Sequence, residues 1–272
     1  MSVIHKIIGK QPLDVSKLNA FVSTIEGALY EERGEGVVFY WMDGKSTRGF
    51  DITLEQDFIE VRNMVLSNRC DYELTNKVVD EILNLTGGKV LDIDEEPVPN
   101  FPIWDNDKIA ETEIHDCEVI HILSKEHDVA IDGPIRKVHF GKRLHKNFAS
   151  VKGEQLRDKM FDLVMYVNYQ IPNFERGNIM RVGNSKDDQK IMKVVTNETD
   201  CILDKYDYIL LWVAEGQHPI MITNEILNSM LPSNWKLVDE FTVVAPITSE
   251  KEWEKLLADA KKHDLFESYI NS

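Results

Sequence analysis

The chain has 272 residues, with 31 Lys and Arg against 47 Asp and Glu, a net charge of −16. A field of that sign repels nucleic acid and anionic lipid, which argues against generic DNA binding. The length points to two domains, and 43% hydrophobic residues point to packed cores instead of disorder.

The N-terminal run MSVIHKIIGKQPLD is broken by His5, Lys6 and Pro12 and is too short for a signal segment. No stretch is apolar for long enough to span a membrane. Three well-separated cysteines, Cys70, Cys117 and Cys201, fit a reducing compartment, so a cytoplasmic, bacterial-style protein is expected.

Residues 3–8 are rich in β-branched side chains and predict a strand. Asp14 is a candidate N-cap, and Val15, Leu18, Val22, Ile25 and Leu29 follow at helical spacing. VVFYWM at 37–42 predicts a strand, and Asp43-Gly44 a type I′ hairpin turn into a return strand near 46–53. A further extended stretch is expected at 57–65. A helix from about Asp71 carries Leu74, Val78, Val79, Ile82 and Leu85 and ends at Gly87-Gly88, before a strand at 89–93. The order approximates β-α-β-β-α-β, a ferredoxin-like arrangement, although the stretch at 57–65 is surplus to it.

Between 92 and 118, ten acidic residues accompany a single Lys108, and three prolines interrupt the segment. It reads as an acidic, proline-containing linker over 99–116, separating an N-terminal domain, 1–98, from a C-terminal one, 117–272. EVIHIL at 118–123, VAI at 129–131 and residues 135–140 read as strands. Then come a helix near 153–169, strands near 189–195 and 206–213, a helix near 221–231 and a long strand over 235–244. A last helix is introduced by a Ser249–Glu252 capping box. The fold class is α+β: two small mixed domains, each an antiparallel-dominated sheet flanked by helices.

One segment runs against the overall charge. Residues 133–153 hold Arg136, Lys137, Lys142, Arg143, Lys146 and Lys152, with His139 and His145 and no acidic residue. It is expected to form a β-hairpin over 136–146, turning at Gly141. Its side chains could hold an anionic ligand or acidic partner, or pair with the chain's own acidic surface. The candidate binding residues are Arg136, Lys137, His139, Lys142, Arg143, His145 and Lys146. Other chemistry is not supported. His115 and Cys117 lack a second half-site for zinc, and DIDEE at 92–96 has Pro97 where a calcium loop needs glycine. GEGVVF at 34–39 is an incomplete phosphate loop, and Cys70 is a lone cysteine before a helix. No metal and no cofactor is expected. The function expected from this reading is that of a non-catalytic protein-binding module, one form of which is an acidic neutraliser of a basic partner such as a toxin. The alternative is an enzyme or binding protein for an anionic small molecule or phosphoester, using residues 133–153.

Overall fold

The computed structural model describes residues 2–98, 101–174, 178–183 and 189–270. The protein is mixed α+β with mostly antiparallel sheets, as the pattern of the sequence predicts. Two compact units divide it, residues 1–170 and 171–272.

The first unit opens with β1 (Val3–Ile8), α1 (Val15–Val22), β2 (Ala28–Gly34), β3 (Val37–Met42), β4 (Phe50–Leu54), β5 (Ile59–Asn63), α2 (Arg69–Thr86) and β6 (Lys89–Leu91). The six strands form one antiparallel sheet in the order β2-β3-β4-β5-β1-β6. Two strands more than a β-α-β-β-α-β unit are thus present. The first helix is shorter than its apolar spacing predicts, because Gly27, at φ +80°, turns the chain into β2. Leu29 consequently lies on an edge strand, exposed, instead of on a helical stripe.

Alternation divides the sheet into two faces. Ile7, Val38, Tyr40, Phe50, Ile52 and Val61 share a core with Leu18 and Val22 of α1 and Leu74, Val78 and Ile82 of α2. The opposite face sets Phe39, Asp51 and Arg62 side by side, because Phe39 pairs with Asp51 and Asp51 with Arg62.

The unit continues with α3 (Asn106–Leu123), β7 (Val129–Asp132), β8 (Lys137–Phe140), α4 (Lys142–Phe148), α5 (Glu154–Met165) and a π-helical turn, Tyr166–Gln170. Helix α3 replaces both the second half of the expected linker and the expected strand at 118–123. Ile103, Trp104 and Ile109 belong to the core of the first unit, so the chain does not divide at this segment. The buried positions of α3 are Ile109, Glu113, Asp116, Cys117 and Ile120, a helical stripe in which two members are acidic. Glu113 accepts a hydrogen bond from the Arg69 backbone N–H, and Asp116 accepts one from that of Leu66 at 3.0 Å. Burial raises the pKa of both carboxyls, against the pull of these donors.

His5 is buried with its ring edge-on to Trp104, centroids 5.8 Å apart. Burial, followed by the charge of Lys108, lowers its pKa from 6.5 to about 4, with Asp92 opposing. The folded protein therefore holds the neutral imidazole. The stability this contributes is complete above pH 6.5 and is lost as pH falls towards 4, by about 3 kcal/mol in total. Urea unfolding of wild type and His5→Phe across this window should show the extra acid sensitivity only in wild type. Parallel pH profiles would overturn the assignment.

The second unit contains β9 (Ile179–Val182), β10 (Lys190–Val195), β11 (Cys201–Leu203), β12 (Tyr208–Leu211), β13 (Ile220–Ile222), α6 (Asn224–Asn228), β14 (Lys236–Leu237), β15 (Val243–Ala245), α7 (Glu250–Ala260) and α8 (Phe266–Ile270). One sheet runs β13-β12-β10-β9, with β10 and β12 parallel, and another runs β11-β15-β14. The long strand expected over 235–244 is broken by buried Asp239. Its carboxylate accepts the backbone N–H groups of Phe241 and Thr242 and the Thr242 hydroxyl, a local turn that competes with the strand. Ser249 caps α7 by accepting from the Glu252 N–H, while the Glu252 carboxylate accepts from Ser233 and Thr248.

Candidate functional site: an arginine cleft

Residues 43–49, between β3 and β4, are not the tight turn that Asp43-Gly44 predicts. Gly44 has φ +66°, but Asp43 is not in the left-handed region, and the connection continues through buried Ser46, Thr47 and Arg48. Asp71, fully buried in the first turn of α2, pulls this segment inward. Its carboxylate accepts the Thr47 hydroxyl at 3.1 Å and the backbone N–H groups of Arg48, Gly49 and Asn68 at 3.1, 2.9 and 3.0 Å.

The clamp fixes Arg48 in a cleft of about 510 Å³ beside the outer sheet face. Its walls include Arg33 of β2, Phe39 of β3, Asp51 of β4 and Arg62 of β5, with Asp132 and Gly133 from the β7–β8 hairpin. Arg62 Nη2 donates to Asp51 Oδ2 at 2.8 Å. Arg33 lies over the Phe39 ring at 3.7 Å, with its Nη1 3.6 Å from Asp51 Oδ1. Three guanidinium groups face two carboxylates here, a local positive excess in a chain of net charge −16.

Arg48 differs from the other two. It is 7% exposed, and Nη2 approaches Met64 Sδ at 3.3 Å. Nε and Nη1 have no hydrogen-bond partner among the described residues. Burial lowers its pKa below the ordinary arginine value, against the pull of Asp132, Asp71, Asp51 and Asp116. A buried cation with unmet donors is rare in folded proteins. Comparison with protein-family models, curated proteins and solved structures finds no match. The site is therefore read from its own geometry. A second cleft of about 380 Å³ lies beside Gly9–Leu13 and Leu54–Ile59, but its charged residues, Lys10, Glu55 and Asp57, are all exposed.

None of the seven basic-stretch candidates lines the arginine cleft. The expected hairpin over 136–146 is instead the end of the β7–β8 hairpin followed by α4, with Gly141 capping the helix where a turn was expected. Arg136 is committed within the protein: its N–H and that of Ile135 donate to the Asn168 side-chain Oδ1, and its guanidinium reaches the Val167 and Asn168 backbone carbonyls at 3.4 Å. Lys137 pairs across the hairpin with Asp132 at 3.4 Å. His139 is buried on β8. Lys142 and Lys146 are exposed on α4, where Arg143 is half-buried. His145 stacks on His121 at 4.3 Å and donates from Nδ1 to the His121 carbonyl.

The cysteines are free thiols. Burial raises the pKa of Cys70 to about 11, with Asp71 and Glu73 adding to the effect, so its place in the first turn of α2 does not make it a thiolate. His115 and Cys117 lie on α3, two residues apart and so on different sides of the helix. Among the described residues, no helix is long and apolar enough to cross a membrane.

Proposed function

We propose that this chain is a binding protein whose arginine cleft holds an anionic group, with Arg48 as its principal donor. One observation carries the reading: Arg48 is buried with Nε and Nη1 unmet, and both lack an acceptor that an anion would supply. Three guanidinium groups line the cleft, so what it offers most of is positive charge and hydrogen-bond donors. The proposal keeps the non-catalytic character expected from the sequence and moves the anion-holding residues from 133–153 to Arg33, Arg48 and Arg62. Capture of a basic protein partner is a second reading, favoured by the net charge of −16.

Thermal unfolding at low ionic strength with added sulfate, phosphate or acetate tests the cleft. Saturable stabilisation is expected in wild type, reaching about 2.7 kcal/mol at a hundredfold excess over Kd. Arg48→Met should abolish that response while unfolding no earlier than wild type, because two buried donors without acceptors have been removed. An equal response in the variant, or no response in wild type, would sink the proposal.

A further inference from the structure

We infer that the anionic group recognised in this cleft belongs to a zwitterion of the amino-acid type, its carboxylate on Arg48 and its ammonium group between Asp51 and Asp132. The inference rests on the proposed anion site and specifies what else the ligand carries. The cleft has a second unmet group, of the opposite sense. Asp51 is 4% exposed, and its Oδ1 accepts no hydrogen bond among the described residues: Arg62 holds Oδ2, while Arg33 Nη1 stands 3.6 Å from Oδ1, an ion-pair contact beyond hydrogen-bond reach. Arg48 and Asp51 thus leave unmet donors and an unmet acceptor in one cleft, and no ion pair joins them. A ligand that only accepts hydrogen bonds satisfies Arg48 and leaves Asp51 as it was. An ammonium group brings three donors and a positive charge to the same place.

The charge balance points the same way. Among the residues that line the cleft, three arginines against Asp51 and Asp132 leave one positive charge in excess, moderated by Asp71 and Asp116 near Arg48, so a single carboxylate suits it better than a higher charge. A dianion such as phosphate would meet both carboxylates as like charges. An amine beside the carboxylate turns the two aspartates from a penalty into contacts. Asp132 is the more accessible of the pair, its carboxylate 70% exposed and 3.4 Å from Lys137. The volume of about 510 Å³ is of ligand-pocket size and leaves room for a side chain beyond the charged head.

Isothermal titration of the full chain at low ionic strength, with acetate, methylammonium, inorganic phosphate and each of the twenty amino acids, tests the inference. At least one amino acid should bind about tenfold more tightly than acetate. Asp132→Asn, a surface change, and Asp51→Asn should each reduce that preference and, by removing a negative charge from the cleft, strengthen acetate binding. Acetate or phosphate bound as tightly as every amino acid would overturn this inference and leave the anion site standing. The same holds if both variants keep the preference. No saturable binding by any of these probes overturns the anion site and the zwitterion together.

Discussion

Replacing Asp71 by alanine is expected to lower the unfolding free energy by about 3–5 kcal/mol. The carboxylate is fully buried and gathers donors from Thr47, Arg48, Gly49 and Asn68. Truncation leaves the backbone N–H groups of Arg48, Gly49 and Asn68 without this acceptor, those of Arg48 and Gly49 in a buried place, while the Thr47 hydroxyl keeps the Leu66 carbonyl at 2.6 Å. The loss should appear as a lower urea midpoint at unchanged slope. Asp71→Asn keeps one acceptor oxygen but aims an amide N–H at donors, so it should lose less than alanine. A loss below about 1 kcal/mol for alanine would mean that packing alone holds the 46–49 segment.

Gly49→Ala is expected to cost about 3 kcal/mol, from two sources. Gly49 has φ +69°, where an L side chain adds about 1 kcal/mol. Its Cβ would also press on the Tyr40 carbonyl oxygen and lie 2.7 Å from Phe39 Cζ. Neither neighbour can yield, since one is sheet backbone and the other a ring pinned beneath Arg33, so overpacking adds about 2 kcal/mol. Gly44→Ala is the control: φ is +66° and nothing lies within 4 Å, so only the conformational part should be lost. Equal losses at the two positions would remove the packing argument.

Elements held by ordinary apolar alternation or a helical stripe were legible in the sequence. Strand β3 and helix α2, with its Gly87 cap, fall close to where VVFYWM and the Leu74–Leu85 spacing place them. What escaped the pattern involves polar groups doing core work. The stripe of α3 includes Glu113 and Asp116, so a search for apolar periodicity breaks in the middle of the helix and finds a strand in EVIHIL. Asp239 divides an apolar run in the same way. The turn at Asp43-Gly44 failed because Asp71, in a distant stretch of sequence, draws the following residues inward. The candidate site was missed for a related reason. Arg33, Arg48 and Arg62 are isolated along the chain; strand register brings Arg33 and Arg62 to the cleft and the Asp71 clamp brings Arg48, whereas the conspicuous run at 133–153 is largely spent on its own hairpin and helix. A signal was present in STRG at 46–49, where an arginine precedes a glycine between two strands, but nothing local marks it as buried.

The π-helical turn at the end of α5 bears on the cleft in mechanical terms. Asn168, buried there, holds the backbone of the β7–β8 turn, and Gly133 has no room for a Cβ beside it. The next residue, Tyr169, donates its hydroxyl to the Ser46 carbonyl at 3.0 Å, in the segment that carries Arg48. Adjacent helical side chains diverge by roughly a quarter turn, so one peptide link acts as a caliper with a jaw on each loop. The gap between Arg48 and the Asp132–Gly133 wall is thus gauged from outside the sheet. Strand residues can change while the gauge holds, whereas a single insertion within Tyr166–Gln170 would reset it.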